Sequence, residues 1–462
     1  LKENDIFVFK FNRLKDAGYD ADKKMYHEKC ISCHKEKRNQ GIKSGPLISE
    51  CRMCHTQTPS YLSSTRPFGL DKSLHYRHVI SDTIKPTQKD KDENCGQCHH
   101  EFDKKLNKTI YIRGKEGTCR YCHYPQKTDE ARSFKTVAHE DCLNCHYPLK
   151  SENIKAGPTD CAGCHDAEQQ RKVEIIADIP RIKRNQPDDV LLSLWLEEAV
   201  KSKKPSLQFI QPVAFNHKSH EAATDTCYAC HHSSMESCNG CHTRIGTEKS
   251  KYTRLGTAMH STKSLGSCIG CHMSKLQDKN CSGCHSQMSS KTFSESNCNK
   301  CHTVDRKSLV PIPSDNKDSV KIAESEISSW SLPKSLVPEK DIPENVTINI
   351  MKDQYEGATF PHRKIVQALY AGIQKNKLAV HFHRDAQTMC TGCHHNSPAS
   401  VMPPKCASCH GILPEQDGRP GLKGAYHAQC IGCHQEMGIE KPVATDCISC
   451  HKLQTKSAQQ SD

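Results

Sequence analysis

Two cysteines separated by two residues and followed at once by histidine have the spacing that attaches a c-type haem. The thiols add to vinyl groups on one porphyrin edge, and the short turn between them aims the next imidazole at the iron. This pattern recurs fifteen times in the 462 residues. The first six sites are Cys30, Cys33 and His34; Cys51, Cys54 and His55; Cys95, Cys98 and His99; Cys119, Cys122 and His123; Cys142, Cys145 and His146; and Cys161, Cys164 and His165. Five follow at Cys227, Cys230 and His231; Cys238, Cys241 and His242; Cys268, Cys271 and His272; Cys281, Cys284 and His285; and Cys298, Cys301 and His302. The last four are Cys390, Cys393 and His394; Cys406, Cys409 and His410; Cys430, Cys433 and His434; and Cys447, Cys450 and His451. All 30 cysteines are thereby used, so none remains for a disulfide or a nucleophile. Zinc would need CxxC units in pairs, which an odd number cannot supply, and would not explain a histidine after every unit. The predicted cofactor is therefore haem c, fifteen per chain.

Of the 29 histidines, those outside the motifs are His27, His75, His78, His100, His139, His217, His220, His232, His260, His362, His381, His383, His395 and His427. Almost all lie close to a motif, which suits second axial ligands. Two imidazoles on one iron give a six-coordinate, low-spin centre of low potential with no position for substrate. Fourteen such histidines cannot serve fifteen irons, so at least one site is expected to lack a second imidazole. The best candidate is the His34 site, since residues 1–26 contain no histidine, with the His302 site as runner-up.

Three motifs end in a doublet, at His99 with His100, His231 with His232 and His394 with His395. The first histidine of each closes its own site, while the second projects in another direction and can reach a neighbouring iron. Each doublet opens a group of four motifs, so the chain is an internal repeat. One module runs from His75 to His165, a second from His217 to His285, and a third from His362 to His451. In the third, about twenty residues intrude before "VHFH". A partial two-haem module precedes them, read as cut short at its N-terminus, and the His302 site stands outside the repeat.

The order apolar-F-N-H-x-x-H, CxxCHH, CxxCH, a lone histidine and two further motifs resembles the class III (tetrahaem) cytochromes c. The tandem array is similar to the large multihaem members of that family in sulfate-reducing bacteria. The resemblance implies a haem-cored protein of tandem class III cytochrome c-like modules, mostly loops and short α-helices with little β. It implies the ligand pairs His75 with His99, His78 with His146, His100 with His123 and His139 with His165. In the second module it implies His217 with His231, His220 with His272, His232 with His242 and His260 with His285. In the third it implies His362 with His394, His395 with His410 and His427 with His451, leaving His381 or His383 for His434 and the other for His302. His27 corresponds to the lone histidine serving His55.

The elements that must hold these residues are sparse, because a chain 35% hydrophobic and 6% aromatic makes a poor conventional core. Porphyrin faces are expected to take the place of the missing side chains, so folding and haem attachment should be inseparable. The organisation reads as a partial module at 1–60, a tetrahaem module at 61–165, a linker at 166–211, a tetrahaem module plus one haem at 212–302, a linker at 303–359 and a tetrahaem module at 360–462. In the first linker, "PDDVLLSLWLEEAVKSKK" has apolar residues at helical spacing and predicts an amphipathic helix packed between modules. The second, with prolines and few periodic signals, reads as an extended strap.

The formal net charge of +12 would suggest a nucleic-acid partner if taken alone. Fifteen haems bring roughly thirty propionates, which outweigh that excess, so no nucleic acid is expected. No run approaches the ~18 apolar residues of a membrane span. The chain starts at Leu1, which is read as the mark of a removed export signal and places it in the periplasm or outside the cell. The resemblance implies a low-potential electron conduit between small c-type cytochromes or hydrogenase and a membrane redox complex, active in sulfate respiration and not an enzyme. The alternatives are self-assembly into an extracellular cytochrome filament and, more remotely, a multihaem reductase with one open haem.

Overall fold

The computed structural model describes residues 2–3, 6–7, 25–55, 70–87, 94–192, 211–288, 295–304, 317–330, 338–350, 355–398, 400–443 and 446–454. Every haem motif falls within them. Contacts divide the chain into two compact units, residues 1–184 with 224–236, and residues 185–223 with 237–462.

In the first unit a π turn (Tyr26–Cys30) runs into α1 (Ile31–Asn39), followed by α2 (Lys72–Val79), α3 (Phe134–Ser151), α4 (Cys161–His165) and α5 (Ala167–Arg171). Strand is limited to two short antiparallel pairs, β1 (Lys2–Glu3) with β2 (Ile6–Phe7) and β3 (Glu101–Asp103) with β4 (Lys108–Ile110). Side-chain caps start α2 and α3. Asp71 accepts from the Leu74 amide at 2.7 Å ahead of α2, and Ser133 accepts from the Thr136 amide at 3.2 Å ahead of α3. The doublet segment 224–236 packs in this unit, where the Asp225 carbonyl accepts from the Lys72 amide at 3.1 Å and the Arg120 guanidinium lies 5.7 Å from the Tyr228 ring.

The second unit holds α6 (His217–Ala223), α7 (Leu255–His260), α8 (Cys268–Lys275), α9 (Lys279–His285), α10 (Glu295–Cys298), α11 (Lys317–Ser329), α12 (His362–Lys375), α13 (Lys377–Phe382), α14 (Ala386–Cys390) and α15 (Leu422–Met437). Its strands pair as β5 (Asp189–Leu192) with β6 (Val213–Asn216) and β7 (Val346–Ile348) with β8 (Ala358–Phe360), both antiparallel. Helix α15 ends at Gly438, whose φ of +65° is the left-handed conformation that suits glycine at a helix C-terminus.

Two expectations for the linkers are overturned. Residues 189–192 form β5 and not the start of a helix, and 193–210 lie outside the described residues. Residues 317–329 of the supposed strap form the 13-residue helix α11. The reason is shared, because the two stretches pack on each other. Leu191 sits opposite Ala214 across the ribbon, and α11 lays Ser319 and Ala323, one turn apart and both fully buried, against it. Leu191, Ala214, Val304 and Ala323 make a small apolar cluster, with Ile322, Ile327 and Trp330 around it. Val304 lies two residues beyond His302, and the Gln211 carbonyl accepts from His302 Nδ1 at 2.6 Å. The motif-free stretches therefore house the site that stands outside the repeat.

Candidate haem sites

Each motif adopts one helical turn, which places the two cysteines and the histidine on one face. In nine motifs the His amide closes on the first Cys carbonyl at 2.8–2.9 Å, as in His99 to Cys95 and His451 to Cys447. The remaining six lie within helices or across a helix start, those of His34, His146, His165, His272, His285 and His434.

Opposite most proximal imidazoles stands a second one. Ring centroids are 6.0 Å apart for His27 and His55, 6.1 Å for His75 and His99, 6.1 Å for His78 and His146, 5.9 Å for His100 and His123 and 6.1 Å for His139 and His165. In the second unit the pairs are His220 with His272 at 6.2 Å, His260 with His302 at 6.1 Å, His285 with His383 at 5.9 Å, His362 with His394 at 6.5 Å, His395 with His410 at 6.0 Å and His427 with His451 at 6.0 Å. A metal–imidazole bond is about 2 Å and the ligating nitrogen about 1 Å from its ring centre, so two trans imidazoles on one ion stand about 6 Å apart.

Tautomers agree with that role. Nδ1 donates to a backbone carbonyl in proximal histidines, His34 to Pro46 at 2.9 Å, His99 to Gly117 at 3.1 Å, His242 to Thr253 at 2.9 Å and His410 to Pro420 at 2.8 Å. The facing residues do the same, His78 to Leu74 at 2.7 Å, His139 to Lys135 at 2.8 Å, His220 to Asn216 at 2.7 Å and His383 to Ala379 at 3.0 Å. A carbonyl only accepts, so Nδ1 keeps the proton and Nε2 is left to ligate. Burial pushes His75, His99, His146, His220, His272, His285, His302 and His383 below the ordinary histidine pKa, which favours the neutral ligand form at pH 7.

The residues fit haem c. Among the described residues no group of three or more His, Cys, Asp or Glu side chains could hold a metal ion. Buried apolar side chains are few, Val137, Leu191, Ala214, Val304, Ala323, Ile342 and Leu422 among the described residues, as expected where porphyrin faces supply the core.

The pairing departs from the class III order in the second and third modules. His260 faces His302 and not His285, and His285 is faced by His383 from the next module. The cause is local. His27, His139 and His427 each precede their next cysteine by three residues and share a continuous helical segment with it, whereas His260 precedes Cys268 by eight. The stretch 261–267 breaks the helix, so α7 and α8 are separate and His260 is turned away from the neighbouring site. In the third module α12 fills the intruding stretch, and α13 delivers His383 to His285. His381 packs edge-on to Trp330 at 4.2 Å, and burial beside Arg384 pushes its pKa down to about 4. It therefore reaches neither His434 nor His302. Among the described residues no imidazole faces His34 or His434, while the former runner-up, His302, has one. The pairs His217 with His231 and His232 with His242 join residues of different units and rest on the resemblance alone.

Several supporting residues escaped the sequence reading. A Cβ on Gly45 or Gly157 would overlap the ring of His34 or His146, so each glycine lets the backbone pass over a proximal imidazole. A signal existed, since a Gly-Pro pair follows both histidines at the same spacing. Phe215 packs at 4.2 Å on His220, and Phe382 sits edge-on at 5.5 Å to His272. Phe215 belongs to the F-N-H-x-x-H order read from the sequence, whereas the contact of Phe382 with His272, distant in the chain, carries no short-range pattern.

Comparison with known proteins agrees with this geometry. The family model described as "Class III cytochrome C family" matches residues 82–165, 195–302 and 361–451. The high-molecular-weight cytochrome c of Nitratidesulfovibrio vulgaris (strain Hildenborough) is 43% identical over 459 residues, 97% of this chain and 83% of the relative. The crystal structure of high-molecular weight cytochrome c from Desulfovibrio vulgaris (Miyazaki F) aligns with a TM-score of 0.72 at 41% identity, covering 96% of this chain and 87% of that one. The sixteen-heme cytochrome from Desulfovibrio gigas aligns with a TM-score of 0.72 at 34% identity, over 98% and 91% of the two chains. Taken with three repeats of the motif order and the facing imidazoles, these matches make the chain a multihaem c-type cytochrome and a member of the class III cytochrome c family.

Proposed function

We propose that this cytochrome is a low-potential electron conduit in the periplasm or at the cell surface. It carries fifteen haems and exchanges electrons with small c-type cytochromes, hydrogenase or a membrane redox complex. The observation that carries this reading is the set of eleven facing imidazole pairs, with centroids 5.9–6.5 Å apart. Each such pair would hold one haem iron between two imidazoles, which would set a low potential and leave no position for substrate. Among the described residues no helix is long and apolar enough to cross a membrane. Identity of partners rests on the family resemblance. The test is reconstitution: the purified holoprotein should be reduced under hydrogen by hydrogenase with a small tetrahaem cytochrome, and should pass electrons to a second acceptor. Failure to be reduced by either partner, with dithionite reduction intact, removes this role.

One observation favours a second reading. No imidazole among the described residues faces His434, because the residues that could have done so are committed to His285 and to Trp330. An open iron there could take a small ligand. Carbon monoxide uptake by the reduced protein, abolished at one site in His434→Ala, supports it; fully six-coordinate spectra exclude it. Turnover of nitrite or hydroxylamine would then separate a reductase from an electron carrier with a five-coordinate site.

A further inference from the structure

In the first unit, residues 111–117 form a turn over the His99 motif, and a residue of the first linker holds that turn. The Tyr111 ring lies against the backbone between Cys95 and Cys98, since a Cβ on Gly96 would stand 3.1 Å from its Cγ. At the other end of the turn the Gly117 carbonyl accepts from His99 Nδ1 at 3.1 Å. A Cβ on Gly117 would stand 2.7 Å from the Tyr121 ring, so glycine is what lets this carbonyl reach the imidazole. Between the two ends, the Glu116 carboxylate accepts from the Tyr111 hydroxyl at 2.8 Å and from the Gly114 amide at 2.9 Å. The turn closes at Gly114, whose φ of +87° costs glycine no strain. Arg184, 68 residues beyond Glu116, grips this arrangement from outside. Its guanidinium donates to the Glu116 carbonyl and, at 3.1 Å, to the Gly114 carbonyl, and it lies 3.5 Å from the Glu116 carboxylate. The two side chains are 20% and 19% exposed, so solvent screens the pair only in part.

We propose that Arg184 is a positioning residue for the His75–His99 site: its fork on Glu116 and Gly114 fixes the turn whose Gly117 carbonyl orients the proximal imidazole. A carbonyl held on Nδ1–H keeps the proton there, leaves Nε2 to ligate and makes the ring a stronger donor. A carbonyl free to drift does so less well. The shape of the guanidinium matters as much as its charge, because a single ammonium cannot hold both carbonyls and the carboxylate from fixed directions. The linker has a parallel at its far end, where the Gln211 carbonyl accepts from His302 Nδ1 directly. A stretch without a haem motif thus supplies the outer support of proximal imidazoles. The inference rests on the haem c reading of the His99 site and on none of the partners proposed above.

The test uses the holoprotein with its full haem complement, checked by mass. Arg184→Lys keeps the charge and removes the fork. Backbone hydrogen exchange at residues 113–117 should quicken severalfold. A difference redox titration against the wild type should show one haem's worth of absorbance displaced to higher potential, and it should be the haem that His75→Met displaces. Should Arg184→Lys fail to mature, Tyr111→Phe removes one hydrogen bond to Glu116, leaves both charges in place and should move the same haem in the same direction by less. A turn that loosens while every potential stays put gives Arg184 a merely structural role and overturns the proposal. So does a shift spread evenly over many haems, or a turn that exchanges no faster. An empty Cys95 and Cys98 pair in the wild type, found by peptide mass, overturns the haem reading of the site itself, so the two failures are distinguishable.

Discussion

The phenol oxygen of Tyr147 lies 2.5 Å from Nδ1 of His27, 120 residues away in sequence. Tyr147 directly follows His146, which faces His78, so adjacent residues of α3 serve two different haem sites. Where His78, His139, His220 and His383 donate to backbone carbonyls, His27 is held by a side chain, and its environment can therefore be changed by substitution.

Tyr147→Phe should raise the potential of the His27–His55 site. An acceptor on Nδ1–H makes the imidazole a stronger donor and favours ferric iron. Losing a hydrogen bond of about 1 kcal/mol corresponds to about 40 mV in a one-electron couple. Spectroelectrochemical titration checks this. An unchanged set of potentials would mean that the contact does not influence the ligand.

His383→Met should alter the His285 site, and His260→Met the His302 site. Thioether ligation raises the potential of the affected haem while its covalent attachment stays intact. Under the class III order His260→Met would instead alter the His285 site. Site-resolved titration distinguishes the two patterns.

Leu191→Ala should loosen the motif-free core. Removing a fully buried leucine side chain costs about 2–5 kcal/mol, and Leu191 is 0% exposed beneath α11. Hydrogen exchange should accelerate in β5, β6 and α11, with α9 and α15 unaffected. Uniform acceleration throughout the unit would show that the cluster is not a separate element of stability.

The intact protein should exceed its polypeptide mass by fifteen haems, as 30 cysteines in CxxCH units require. Denaturing mass spectrometry decides the count, and any deficit marks an unfilled motif.

What the sequence determined by itself was the local shape of every CxxCH unit. A CxxCH unit needs only one helical turn, a hydrogen bond between residues four apart, so its geometry is written within five residues. The first module's distal ligands were legible for a related reason, since HxxH on α2 and the lone His139 sit in elements whose spacing repeats the family order. Where that spacing failed, tertiary structure decided. A separation of eight positions between His260 and Cys268, in place of three, breaks a helix, and the freed imidazole meets His302. His383 reaches His285, 98 positions away in the chain, because α13 carries it there, a placement set by packing and not by local spacing. The linkers were misread on the same ground: β5 and α11 are each too short to hold their shape alone, and their conformation comes from burying Leu191 and Ala323 against one another.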